Sequence, residues 1–266
     1  MNKFREEAEE IVQESDRDNS KETLLKLFSL IDYTSLNITD NRGSIIELVQ
    51  QVNHFQDLYQ QNVAAVCVFP NFIPVVRKNL TDCEVKIASV SAGFPFSQSF
   101  DEVKLLETEL AIQHGADEID VVMPLGELWE NDENKIIQDI SDVKARCGHR
   151  KLKVILETSM LKNADLIRRA SGLAIEGGAD FIKTSTGKNG SIASLEAVII
   201  MCDVISNHYK STGRQIGIKP AGGISTYEEA LKYYTLVKKR LGENWMNKDV
   251  FRIGASSLIK DVIARM

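Results

Sequence analysis

Residues 180–188, DFIKTSTGK, decide how this chain is read. Phe181 and Ile182 are apolar neighbours of the kind that fill a buried strand. Lys183 follows at once, with Thr184, Ser185, Thr186 and Gly187 behind it. The same break recurs in residues 215–223, QIGIKPAGG, where Lys219 follows Gly217 and Ile218. A strand that turns polar within one residue has its apolar half in a core and its end at an opening.

Outward from this stretch the chain alternates between short apolar runs and helical patterns. Strands are expected in LFSLIDYTS, VAAVCVFP, KIASVSAGF, EIDVVMP, KLKVILE, FIKTST, QIGIKPAG and FRIGASS, each followed by a helix. After the helix-capping Asn163, for example, Leu166, Ile167, Ala170, Leu173 and Ala174 form one apolar stripe. Strand–helix units without a Pro/Gly/Ser-rich hinge imply a parallel sheet. Right-handed crossovers close such a series into an α/β (β/α)8 barrel, the TIM barrel, whose typical size is about 250 residues. The expectation is one domain over residues 1–266. Residues 1–27 form a helical extension, because Phe4, Ala8, Ile11 and Val12 recur at helical spacing. An open doubly wound sheet is the alternative, but no strand is followed by the G-x-G-x-x-G of its dinucleotide form.

The net charge of −6 and the pI near 5.4 argue against nucleic-acid and membrane-surface partners. The four cysteines, Cys67, Cys83, Cys147 and Cys202, are scattered, which fits reduced thiols better than disulfides or a zinc site. The acidic N-terminal stretch lacks the apolar core of a signal peptide, and no run reaches membrane-spanning length. A cytoplasmic protein is expected. Neither H-E-x-x-H nor a His/Asp/Glu cluster suggests a metal, and no cofactor motif is present.

Barrel sites form at the C-terminal ends of strands. Strand four supplies Asp120, strand six Lys183 and strand seven Lys219. Alternation puts Asp120 on the face of Glu118 and Val122. It puts Lys219 on the face of Gly217 and Ala221, where small neighbours leave room for an inward amine. Alone, each lysine reads as a snorkelling side chain and Asp120 as a buried ion pair or loop cap. Together at one end of a barrel they suggest chemistry. An amine with an ordinary pKa near 10.4 is almost wholly protonated at neutral pH; lowering that pKa by roughly three requires about 4 kcal/mol, within reach of burial beside a second ammonium. The neutral amine can then attack a carbonyl to form a Schiff base, with a carboxylate to move protons.

Gly222 and Gly223 after strand seven, and Gly254–Ser257 (GASS) after strand eight, sit where barrels often bind phosphate. Glycine lets backbone N–H groups approach the anion, and Ser256 and Ser257 add hydroxyls. Ordinary turn glycines and a serine cap are the alternative. Gly187-Lys188 is not a P-loop, because the first glycine of that motif would fall on Ile182. Asp32, ending strand one, reads as a hydroxyl-binding residue or a cap, and Cys67 as a pocket residue or inert filling.

The segments GADEIDVVMP, GGADFIKTSTGK, GIKPAGGI and RIGASSL, in this order and on matching strands, closely resemble the class I deoxyribose-phosphate aldolase family. LIDYTSLN, VAAVCVFPNFIPVVRKNL and VSAGFPF extend the likeness from about residue 28 to the last helix. The resemblance implies a metal-independent barrel enzyme without a cofactor. It would reversibly cleave 2-deoxy-D-ribose 5-phosphate to D-glyceraldehyde 3-phosphate and acetaldehyde, often as a homodimer. It makes Lys183 the Schiff-base residue, Lys219 the cation that perturbs it and Asp120 a proton carrier. Gly187, Gly222, Gly223, Gly254, Ser256 and Ser257 correspond to its phosphate site, with Asp32, Cys67, Thr186 and Lys188 as further substrate-contact candidates. One departure stands out: members commonly carry an arginine where this chain has Ser225, so Lys188 is a candidate substitute cation. A Schiff-base enzyme for another sugar phosphate and a silent phosphate-binding barrel are the alternative readings.

Overall fold

The computed structural model describes residues 2–15, 20–188 and 190–266. Eight parallel strands carry the fold: β1 (Ile31–Thr34), β2 (Ala65–Val68), β3 (Lys86–Ser91), β4 (Glu118–Val122), β5 (Lys151–Ile155), β6 (Phe181–Lys183), β7 (Gly217–Lys219) and β8 (Ile253–Ala255). They pair in the order β7-β6-β5-β4-β3-β2-β1-β8. The seam closes through Ile218 N to Val250 O (2.9 Å), Arg252 N to Ile218 O (3.0 Å) and Gly254 N to Pro220 O (2.9 Å). Those bonds turn the sheet into a barrel and leave no free edge. All eight strands fall inside the runs read from the sequence.

Period-two alternation divides the strand residues. Ile31, Val66, Val68, Ile119, Val121, Leu152, Val154, Ile182 and Ile218 belong to the main apolar core shared with the helices. The opposite face lines the barrel. Around β2 and β3 that interior is a small apolar cluster of Leu36, Ala65, Cys67, Ala88 and Val90. Around β4 to β8 and β1 it is ionic, with fully or almost fully buried Asp32, Glu118, Asp120, Lys153, Lys183, Lys219 and Arg252. Barrel interiors are usually filled by branched aliphatic side chains. An interior with seven charged groups departs from that rule and marks the site.

The helices follow the pattern read from the sequence. In the helix Ala164–Glu176 the Asn163 side chain accepts the Leu166 N–H at 2.8 Å, a cap worth about 1 kcal/mol. Its stripe of Ile167, Ala170, Leu173 and Ala174 is buried. The N-terminal extension differs from the single amphipathic helix expected. It holds α1 (Asn2–Ser15), packed on the helices Leu195–Thr212 and Tyr227–Leu241, and a separate α2 (Lys21–Phe28) capped by Ser20. Residues 16–19 of the extension lie outside the described residues. Leu27 and Phe28, read as the start of strand one, close α2 instead, because their apolar run is too short to distinguish helix from strand. Among the described residues no helix is long and apolar enough to cross a membrane.

Candidate active site

Asp120 stands at the centre of the ionic interior. Its Oδ2 accepts from Lys183 Nζ and from Lys219 Nζ, each at 2.8 Å, and its Oδ1 from Lys153 Nζ at 2.8 Å. Register explains the convergence: Lys183 and Lys219 are direct partners across β6 and β7, and Asp120 faces Lys153 across β4 and β5. A second layer completes the network. Lys153 also pairs with Glu118 Oε2 at 2.7 Å, and Lys219 with Asp32. Arg252 bridges Asp32 Oδ1 (2.6 Å) and both oxygens of Glu118 (2.6 and 3.0 Å). Four cations thus meet three carboxylates, with one positive charge in excess when all are ionised.

The excess settles on Lys183. Burial strips water from its ammonium and holds its pKa below the ordinary lysine value; the Lys219 cation adds to this, while Asp120 opposes it. Lys219 moves the other way. Burial disfavours its charge, but Asp120 and Asp32 outweigh burial and raise its pKa. Lys153 is likewise raised, because Asp120 and Glu118 outweigh its burial. Burial alone would neutralise Asp120, but Lys153, Lys183 and Lys219 keep it ionised, well below the usual carboxylate range. Asp32 is lowered against its burial by Lys219 and Arg252. One amine of the cluster is therefore pushed toward its neutral form while its neighbours are fixed as ions.

Lys183 is also the cluster residue that borders an opening. A pocket of about 330 Å³ lies over it, lined by Thr34, Thr186, Gly187, Lys188, Gly222, Gly223, Ser225, Gly254, Ser256 and Ser257, among others. The pocket therefore gathers the glycines and serines expected at a phosphate site, together with Thr186 and Lys188. The Lys188 ammonium donates to the Leu36 carbonyl across the pocket mouth. Ser225 brings no charge, and its N–H (2.7 Å) and hydroxyl (3.0 Å) both donate to Glu229. Asp32 and Cys67 do not line the pocket. Asp32 lies beneath it in the ion network. Cys67 lies in the apolar cluster, where burial raises its thiol pKa.

Two glycines act differently from the sequence reading. The space at Gly217 is not left open for Lys219. The Phe181 ring fills it, occupying the place where a Cβ would stand. Gly254 donates its N–H to Pro220 O in the barrel seam, so it offers space rather than a free amide; a Cβ there would lie 3.0 Å from Lys219 Cε.

Comparison with known proteins agrees with this geometry. The DeoC/LacD family aldolase profile matches residues 27–258. The chain belongs to the DeoC/LacD aldolase family. A Caenorhabditis elegans protein provisionally named deoxyribose-phosphate aldolase is 39% identical over 254 residues, covering 94% of this chain and 84% of that protein. A Coccidioides immitis crystal structure under the same provisional name superposes with a TM-score of 0.77 at 29% identity, covering 97% of this chain and 96% of that one. A similarly named Toxoplasma gondii structure gives 0.82 at 24% identity, with 91% and 93% covered, and shares the fold. DeoC/LacD membership makes this chain a class I aldolase, a Schiff-base enzyme.

In this aldolase part of the ionic framework has no counterpart in the sequence analysis: Lys153, Arg252, Glu118 and Glu157 carry no expected role there. Alternation alone puts Glu118 on the strand face of Asp120, whereas the β4–β5 register sets Lys153 opposite Asp120. Among the described residues no group of three or more His, Cys, Asp and Glu side chains could hold a metal ion. The clustered carboxylates are instead occupied by lysine and arginine.

Proposed function

We propose that this aldolase cleaves 2-deoxy-D-ribose 5-phosphate reversibly to D-glyceraldehyde 3-phosphate and acetaldehyde. One observation carries the reading: Lys183 is both the destabilised ammonium of a buried ion cluster and the cluster amine that borders the pocket lined by glycines and serines. The neutral Lys183 amine adds to C1 of the open-chain sugar, and protonation with loss of water gives the iminium ion. Removal of the C3 hydroxyl proton then breaks the C2–C3 bond, and its electron pair flows into the iminium to form a neutral enamine. Asp120, held ionised by Lys153 and Lys219, accepts and returns protons, and Lys219 also repels the Lys183 ammonium. Protonation at C2 and hydrolysis release acetaldehyde and restore the amine.

The phosphate end of the substrate is assigned to Gly187, Lys188, Gly222, Gly223, Ser256 and Ser257, which line the same pocket. Gly187, Gly222 and Gly223 all have positive φ (71°, 91° and 79°), where glycine is unstrained and the backbone can turn close to an anion. Ser225 favours a second reading, a Schiff-base aldolase for a different phosphorylated aldehyde, since no arginine adds charge there. Borohydride reduction in the presence of 2-deoxyribose 5-phosphate tests the main reading. A covalent adduct on Lys183 is expected, and a folded protein with no adduct there would refute it. A panel of phosphorylated aldehydes separates the two substrates by kcat/KM.

A further inference from the structure

Glu157 is a buried carboxylate that the ion cluster does not use. It follows β5 by two residues, at the barrel end where Lys183 and Lys219 lie, and is 8% exposed. Its backbone is left-handed (φ 53°, ψ 53°), a conformation that costs a non-glycine residue free energy. Among the described residues its partners are neutral donors from the loop after β6. Oε1 accepts the Thr186 N–H at 3.1 Å, Oε2 accepts the Thr186 hydroxyl at 2.7 Å, and the Ser191 hydroxyl donates to Oε1.

These bonds fasten both ends of the turn that carries Gly187 and Lys188. Inside it, Thr186 Oγ1 accepts the Lys188 N–H (3.1 Å) and Ser191 N–H donates to Lys188 O (2.9 Å). The hold extends to the loop after β7. Ala193 N–H donates to Gly222 O at 3.0 Å, and Ser191 O lies 2.6 Å from where a Gly222 Cβ would stand. Gly187, Lys188 and Gly222 are pocket residues; Glu157 is not.

The geometry points to Glu157 as a positioning residue that sets the phosphate-binding turn and thereby the preference for phosphorylated over unphosphorylated substrate. This rests on the proposed assignment of the phosphate to that pocket. A carboxylate suits the task because it only accepts. The Thr186 hydroxyl already accepts from Lys188 N–H, so its own proton needs an acceptor. An amide at 157 would have one oxygen for three donors.

The test compares wild type with Glu157→Gln, and with Ser191→Ala, which removes a single donor and keeps the carboxylate. Wild-type turnover of 2-deoxyribose 5-phosphate is measured first and judges the proposed function by itself. Three quantities then judge Glu157: KM for the phosphorylated sugar, kcat/KM for unphosphorylated 2-deoxyribose, and the Kd of inorganic phosphate from calorimetry. Losing a hydrogen bond to a charged group predicts roughly a tenfold or greater rise in the KM and the phosphate Kd for Glu157→Gln. A smaller rise is expected for Ser191→Ala, and kcat/KM for the unphosphorylated sugar stays within about twofold of wild type. An equal loss on both sugars, or no change in phosphate affinity, would overturn the inference. If wild type proves inactive on deoxyribose phosphate, the phosphate Kd still decides it. If Glu157→Gln does not fold, Ser191→Ala decides alone by the same readings.

Discussion

Lys183 and Lys219 are partners across adjacent strands, and their ammonium groups meet the same oxygen, Asp120 Oδ2, at the same 2.8 Å. Their pKa values nevertheless move in opposite directions. The difference lies behind them. Lys219 has Asp32 as a second carboxylate, whereas Lys183 shares Asp120 with two other lysines. One extra carboxylate contact fixes one lysine as the ion and leaves the other to give up its proton.

This asymmetry predicts opposite stability effects. Lys183→Met removes the excess cation and leaves three cations against three carboxylates, so thermal unfolding should occur at or above the wild-type temperature while turnover is lost. Lys219→Met strips a counter-charge from both Asp32 and Asp120. Breaking a buried ion pair from one side costs about 3–5 kcal/mol, so a markedly lower Tm is expected. Differential scanning calorimetry of the two variants checks the contrast; equal Tm losses would contradict it.

The pH dependence follows from the direction of the Lys183 shift. Only the neutral amine forms the imine, so the initial rate of borohydride-trappable adduct should rise with pH through a midpoint below the ordinary lysine value. Stability carries the same sign. Between the lowered folded pKa and the ordinary unfolded pKa, the unfolded chain binds more protons, so stability rises with pH across that window. Lys183→Met should remove this slope, as measured by urea unfolding at several pH values. A wild-type slope unchanged in the variant would assign it elsewhere.

Asp120→Asn separates proton transfer from imine formation. Acid–base catalysis contributes roughly 10²–10⁴-fold, so kcat should fall by about that factor. Asp120 also raises the Lys183 pKa, so its neutralisation lets the amine deprotonate at lower pH. Adduct trapping should therefore persist and shift toward acid while turnover drops. Parallel loss of both in folded protein would show that Asp120 serves the amine alone.

Legibility in the sequence depended on position along the strands. Lys183 and Lys219 stood out because each ends an apolar run and begins a polar loop. Lys153 lies mid-strand between Leu152 and Val154, where alternating polar and apolar residues read equally as a solvent-facing edge. A barrel interior has the same period of two as a wetted face, so charge inside it imitates exposure. Arg252, between Phe251 and Ile253, is hidden for that reason. The eight-strand order survived because it rests on repetition of apolar runs. The start of β1 did not, because Leu27 and Phe28 pack equally well from a helix. The open space imagined beside Gly217 failed because only the fold shows that Phe181 lies directly across from it.

Gly254→Ala tests whether the position of Lys219 matters apart from its charge. The new Cβ would stand 2.8 Å from Ala221 Cβ and 3.0 Å from Lys219 Cε. Both contacts are tighter than packed carbons accept, and Lys219 is fully buried with its charge fixed on two carboxylates. Its stem has little freedom to retreat, so the strain is divided between the β7–β8 seam and the ammonium position. Overpacking of this kind typically costs about 1–3 kcal/mol of stability. A displaced ammonium weakens the repulsion felt by Lys183, so the pH midpoint of adduct trapping should rise toward the ordinary lysine value while KM changes little. A Tm loss with an unmoved midpoint would mean that Ala221 and the seam absorb the methyl group, and that Lys219 holds its place without help from the glycine.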